Sequence, residues 1–532
     1  MQRILRVASV VFCMALVPVC LIRGASGLRT ARGSPALSDN IDPAFQYLLN
    51  ALLVVEGQPP YHTDHPGTTV QVVDSLFLRL HHWGLQGEAI ARKVLSDPVS
   101  EINYLVDCNA VLASLAVILA AWLLYARTRS PLRTSLFVLS VCFLFDSCKA
   151  AMWLWPEVML VGLSALLAVF VYLALADTGD RAGQRWMLCA AAVAGAGMAT
   201  KITIFPLVLL LLLRPVSVRS VLARYGVFLS ALAICLIPIY SQLPRTMRWF
   251  YVLSTHKGLY GSGAPGFIDE ARIEPAVSTL LEYYSAFTVS ALLLLAAGLA
   301  SLRATRQPSE KGRRFDFAWV LAIEVFGLLF VAKHPNKHYF LPTALLSGVN
   351  LMLALDCLGR LGGRVWHRLG AALCLLCVAY GAYVFNGQYR TFSRYSADVR
   401  DQLEAFDQMV DRRAPAAAVR VYFYRSSGVP FGLQFANGYS RHFFAKDLST
   451  LYPGALFFNI FNGLFETYSA YVEPARVFAQ HEELLFIGSE PLPSLEQRGA
   501  IHVPAGWSAR ELAHSGPQYA YLLKKDASAA GH

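Results

Sequence analysis

Charge is scarce in this chain. Asp, Glu, Lys and Arg make up 15% of its 532 residues, against roughly 25% in soluble domains. With 55% hydrophobic residues and a mean hydropathy of +0.44, that scarcity excludes an ordinary soluble protein and leaves a membrane protein. Cysteine is absent after Cys377, and the earlier cysteines lie mostly in apolar runs, where a thiol behaves as a small hydrophobe. A structural disulfide framework is therefore not supported. Cys374 and Cys377 form a CxxC with no further ligands nearby, which reads as packing rather than redox or metal work. Internal repeats and low-complexity tracts are also missing, and without paired halves the chain lacks the pattern of an inverted-repeat transporter. The net charge of +11 does not imply nucleic acid. The basic residues form short clusters between apolar runs, as in cytoplasmic loops, and no basic face sits on a soluble domain.

What the chain has in quantity is apolar runs. Residues 4–22 form the first, with Arg3 and Arg6 at its start and Arg23 after it. No A-x-A cleavage site follows it, so the reading favours a retained anchor over a signal peptide. Further runs fall at about 105–125, 134–148, 155–176, 186–200, 202–213, 221–240, 277–301, 317–332, 339–357 and 369–386, giving about eleven spans. From a cytoplasmic N-terminus, alternate loops hold Arg127, Arg129 and Arg133; Arg181 and Arg185; Arg214, Arg219 and Arg224; Arg303, Arg306, Lys311, Arg313 and Arg314; and Arg360, Arg364 and Arg368. The intervening short outer turns carry only Lys149, Lys201, Lys333 and Lys337. This asymmetry orients the chain by the positive-inside rule.

Three longer segments then fall outside: 23–104, 241–276 and the region from 388. The expected organisation is a transmembrane domain over 1–387 and an extracytoplasmic α/β domain over 388–532. In the latter, 398–411 has the pattern of an amphipathic helix, while 418–424 and 484–488 read as buried strands. In the first outer segment, Phe45, Leu48, Leu49, Leu52 and Leu53 recur at helical spacing after Asp42-Pro43, an N-cap and N1 pair. A second amphipathic stretch runs from Val70 to Trp83. Both helices, 43–56 and 70–83, are expected to lie along the membrane surface.

Several residues could carry chemistry. Asp42, at a helix start, would stay ionised and could act as a general base; the alternative is a plain N-cap. Glu157 is the acid of an apolar run, beside Trp155-Pro156. Buried in a membrane it implies function, and at the interface it could simply reach water. The turn Lys333-His334-Pro335-Asn336-Lys337-His338-Tyr339 concentrates cations and donors suited to a phosphate, with Lys201 able to join it; headgroup anchoring is the alternative. His62, Asp64 and His65 are three ligand-capable groups within four residues, so a divalent cation is an open alternative to an ordinary turn. Tyr439, Arg441, His442 and Tyr452 could touch an acceptor or simply form a packed surface.

In order along the chain, these residues resemble the C-type superfamily of membrane glycosyltransferases. The resemblance is greatest to the branch of protein O-mannosyltransferases and bacterial lipid A aminoarabinose transferases. The matching features are Asp42-Pro43-Ala44-Phe45-Gln46-Tyr47 after the first span, the turn Asp64-His65-Pro66-Gly67-Thr68, and Pro156-Glu157. Gly195-Ala196-Gly197-Met198-Ala199-Thr200-Lys201 and the stretch from Lys333 to Pro342 complete the set. The chain departs from the branch at Asp64-His65-Pro66-Gly67, where a Lys-Pro-Pro turn is common, and at Pro43, where a second acid is frequent.

The resemblance implies a polytopic helical fold and an inverting glycosyltransferase on the outer face of a bacterial inner membrane. It implies a polyprenyl-phosphate-linked sugar as donor and a hydroxyl of a glycan, lipid or protein as acceptor. Asp42 would be the base, Glu157 would orient the sugar or assist, and Lys333, Lys337 and His338 with Lys201 would hold the departing phosphate. A glycan polymerase or ligase, or a transporter without chemistry, are the competing readings.

Overall fold

The computed structural model describes residues 2–37, 43–64, 66–177, 180–214, 217–257, 261–266, 270–304 and 316–526. Asp42 and His65 lie outside the described residues. Among the described residues, seven helices are long and apolar enough to cross a bilayer: Val7–Arg32, Pro98–Thr128, Pro156–Ala176, Val218–Thr255, Ser285–Leu302, Lys337–Gly359 and Gly363–Arg413. The chain is thus a multi-pass membrane protein. The other four predicted runs coincide with helices that fall short of that measure of length and apolarity. Pro131–Cys142 and Ile202–Leu212 are short, the latter joining two 3-10 turns through a single α turn. Asp180–Thr200 and Asp316–Ala332 account for the remaining two.

The chain forms two compact units. One comprises Met1–Ser26, Thr63–Val70 and Val106–Arg390; the other comprises Gly27–His62, Gln71–Leu105 and Thr391–His532.

In the first unit, Pro156–Ala176 and Asp180–Thr200 pack as an antiparallel hairpin. Small residues let the next helix, Val218–Leu236, approach closely. A Cβ on Gly195 would meet the Phe228 carbonyl oxygen at 2.5 Å and the Leu232 nitrogen at 2.9 Å, so only glycine lets the two backbones touch. Elsewhere Leu136, Leu351, Leu355, Cys374 and Val378 form one buried cluster. Cys374 packs inside it, and the described cysteines are all free thiols.

The second unit is built on a seven-stranded mixed sheet. Its strands are β1 (Val419–Phe423), β2 (Leu456–Asn459), β3 (Leu464–Glu466), β4 (Tyr471–Val472), β5 (Glu483–Gly488), β6 (Trp507–Ser515) and β7 (Gln518–Lys525). They are ordered β4-β3-β2-β1-β5-β7-β6. The two strands read from sequence are β1 and β5, which pair in parallel with Val421 opposite Phe486. One face packs on Phe406 and Val410, and the other on Val477, Phe478, Leu492 and Leu495. The amphipathic helix expected at 398–411 is the end of the 51-residue helix Gly363–Arg413.

The first outer-loop helix is Ala44–Val55, with Pro43 at its cap position rather than inside it. The periodicity predicted a one-sided surface helix. It is instead buried on nearly every side, because Ala44, Tyr47, Ala51 and Val55 extend the apolar stripe around the cylinder. Phe45 packs so closely on the helix Val429–Gly438 that a Cβ on Gly432 would lie 2.8 Å from its ring. The second helix, Thr68–His81, keeps the expected one-sided character. Leu76, Leu80 and, just beyond it, Trp83 are exposed at i, i+4 and i+7.

Candidate active site

The acid Glu157 opens the helix Pro156–Ala176, with Pro156 in its first turn. Lys201 directly follows the partner helix Asp180–Thr200, so the hairpin brings the two to the same end. Lys201 Nζ donates to Glu157 Oε1, and their side chains are only 5% and 2% exposed. Charges this deep persist when each neutralises the other. His338 opens the helix Lys337–Gly359 and brings its Nε2 within 3.6 Å of the same carboxylate oxygen. The Lys201 ammonium also lies over the Tyr339 ring, 4.6 Å from its centre.

The turn at 63–70 docks on this cluster. Gly67 takes φ +70°, a left-handed conformation that favours glycine, and its N–H donates to the Thr200 carbonyl at 3.1 Å. Thr69 and Thr200 share a hydroxyl hydrogen bond of 2.5 Å, and Pro66 forms an isolated β-bridge with Lys201. Asp64 Oδ1 faces Arg245 Nη2 at 3.9 Å.

Two indoles wall the site. Trp153 and Trp155 stack with ring centres 4.9 Å apart, and Trp155 lies 5.2 Å from His338. The Trp155 Nε1 donor is buried and has no hydrogen-bond partner among the described residues. A buried, unpaired indole N–H at a charged cluster is a donor waiting for an acceptor.

Sequence reasoning missed Asp146. It is buried in the short helix Phe145–Ala150 and accepts from Tyr283 Oη at 2.8 Å and from Tyr284 Oη. Tyr284 Oη also bonds the Lys337 carbonyl at 2.8 Å, which ties Asp146 to the backbone that presents His338. The signal was available, since Asp146 is an acid in an apolar run as Glu157 is.

The Lys333–Tyr339 turn divides. His338 and Tyr339 join Glu157 and Lys201. Lys337 places its ammonium 4.5 Å from the centre of the Tyr283 ring. Lys333 instead donates to the Ser254 carbonyl. Burial lowers the Lys333 ammonium from its ordinary pKa. Burial also lowers the His334 imidazole, opposed by a hydrogen bond to the Leu253 backbone and reinforced by the Lys333 charge. Both face the segment around Leu253–Ser254.

In the second unit, His62 is buried edge-on between Tyr47 and Tyr439, with ring centres 5.4 and 5.2 Å away. Asn50 fixes the segment: its Oδ1 accepts from the backbone N–H groups of Tyr61 and His62 at 2.7 and 2.8 Å. Arg441 stacks 4.4 Å from the Tyr61 ring centre, His442 meets Asn437, and Tyr452 donates to the Leu95 carbonyl at 2.8 Å. These contacts give Tyr439, Arg441, His442 and Tyr452 packing partners within their own unit. Among the described residues, neither His62 nor Asp64 belongs to a group of three metal-capable side chains.

No protein-family model and no curated protein matches the chain. Among solved structures, it is similar to ArnT from Cupriavidus metallidurans bound to undecaprenyl phosphate. The identity is 14%, the match covers 96% of this chain and 97% of that one, and the TM-score is 0.49.

Proposed function

We propose that the protein is an inverting glycosyltransferase that moves a sugar from a polyprenyl-phosphate carrier to an acceptor hydroxyl, on the outer face of the cytoplasmic membrane. The observation that carries this reading is the Glu157–Lys201–His338 cluster. It is a nearly buried cation and carboxylate at one end of apolar helices, roofed by the 63–70 turn and walled by an indole with an unpaired donor. A lipid-linked phosphate has its charged head at that depth and its tail in the bilayer. The ordered motifs from Asp42 to Pro342 support the same reaction class.

The residues suggest a division of labour. Asp42 takes the proton from the acceptor hydroxyl as it attacks the anomeric carbon in line. The bond to the carrier phosphate breaks, and the phosphate oxygen gains negative charge in the transition state. Lys201 and His338, with Lys337 close by, stabilise that charge selectively. Glu157 holds Lys201 in place and would orient the sugar or assist Asp42. Trp153 and Trp155 offer a flat apolar surface for a sugar ring and one N–H for its oxygen. Lys333 acts from the Leu253–Ser254 side, where it would meet the outer oxygens of the phosphate. The acceptor is a glycan, lipid or protein hydroxyl.

The test is to incubate purified protein in nanodiscs with a labelled polyprenyl-phosphate sugar and an acceptor extract. Acceptor-dependent release of free polyprenyl phosphate is expected. Intact donor after prolonged incubation across an acceptor panel would refute the reading, and so would translocation of donor without cleavage.

A further inference from the structure

A second cluster of ligand-grade side chains lies in the other unit, on residues given no role above. The helix Thr68–His81 ends at His81, and a turn follows in which Leu85 N–H donates to the His82 carbonyl at 3.1 Å, with Gly84 at φ +88°. Consecutive residues inside a helix diverge by roughly 100° around its axis. His82 follows the last helical residue, and the two imidazoles nevertheless converge, with ring centres 4.6 Å apart. Glu101, in the first turn of Pro98–Thr128, faces both. Its Oε1 lies 3.1 Å from His82 Nε2 and 3.9 Å from His81 Nε2.

Three features distinguish this group from a solvated cluster. One ligand atom from each residue lies within 4.8 Å of the others. His82 and Glu101 are 4% and 7% exposed. Glu101 Oε2 is buried with no hydrogen-bond partner among the described residues, an expensive state for a carboxylate oxygen. His81 supplies the access path: its side chain is 43% exposed, and Tyr104 stacks on it at 4.1 Å and 27°, limiting its rotation.

We propose that His81, His82 and Glu101 bind one zinc ion. Tetrahedral zinc with bonds of about 2.0–2.2 Å separates its ligand atoms by about 3.3–3.5 Å. The ligand atoms, all within 4.8 Å of one another, would reach that spacing by adjustment of the exposed His81 ring. Two imidazole nitrogens and one carboxylate suit zinc, and the fourth position stays open on the His81 side for water. The ion would neutralise the buried carboxylate and pin the end of the surface helix to the head of the next helix. It is a structural clip, independent of the glycosyl-transfer assignment.

The test uses tag-free full-length protein in detergent, stripped with chelator, loaded with zinc and freed of excess. Metal content is measured by mass spectrometry, and cobalt is substituted to read tetrahedral geometry from its visible absorption. Wild-type protein should retain one zinc per chain, and zinc should raise its melting temperature. His81→Ala spares the buried His82–Glu101 hydrogen bond, so its metal-free melting temperature should match wild type. It should nevertheless lose zinc affinity by more than about 100-fold, above the ~10–100-fold typical of losing an outer partner. Glu101→Gln should lose it as well. Wild-type protein that retains no zinc, or retention equal in wild type and both variants, would overturn the proposal.

Discussion

Replacing Lys201 with Met tests the central ion pair. The substitution keeps the length of the side chain and removes its charge. Glu157, 2% exposed, would then keep His338, at 3.6 Å, as its basic neighbour among the described residues. Breaking a buried pair from one side costs about 3–5 kcal/mol, because the other charge is stranded. Burial this deep leaves little solvent screening to discount. Replacing both partners, as in Lys201→Met with Glu157→Gln, strands nothing. The double variant should therefore recover most of the loss, with a coupling energy of about 2 kcal/mol or more. Unfolding in detergent of wild type, the two single variants and the double variant closes the cycle. The double variant should be stable yet inactive in sugar transfer, since its site has lost the cation aimed at the leaving phosphate. Additive single effects, or a Lys201→Met protein of native stability, would refute the account of this pair.

Other outcomes follow from the same geometry. Lys333→Ala should weaken donor binding with little change in stability, because Lys333 donates to the Ser254 backbone carbonyl at an exposed position; unchanged donor affinity would remove it from the phosphate site. Gly195→Ala should destabilise the helix packing by about 1–3 kcal/mol, the usual cost of forcing a methyl into a filled contact, since its Cβ would strike backbone atoms of Phe228 and Leu232. A melting temperature equal to wild type would show that the helices separate freely. A variant retaining Trp83 as its sole tryptophan should be quenched by brominated lipid, because Trp83 extends the exposed face of Leu76 and Leu80, as expected of a helix lying in the interface. Lack of quenching would place that face in water.

The spans were legible because length and apolarity decide them locally. The charge pattern separated the Arg-rich helix ends from the Lys-bearing ones, and Glu157 stood out as a costly acid. Other features depended on distance along the chain. Thr69 and Thr200 bond across 131 positions, and no local pattern announces that the 63–70 turn roofs Lys201. The division of the Lys333–Tyr339 turn was equally hidden. Seven residues read as one cationic patch, yet the 3-10 turn Lys337–Phe340 sends His338 inward while Lys333 faces Ser254. The helix Ala44–Val55 was found at the right place, but its neighbour Val429–Gly438 lies far away in sequence, so its burial could not be read from spacing. His81 and His82 carried no signal either, since adjacent residues on a continuing helix would point apart.

The central claim is tested most directly by comparing wild-type protein with Asp42→Asn, measuring donor binding and acceptor-dependent release of polyprenyl phosphate side by side. The account predicts unchanged donor affinity and a loss of transfer of about 10²–10⁴-fold, the usual contribution of a general base. Near-normal transfer by Asp42→Asn, or no release by the wild-type protein, would contradict it.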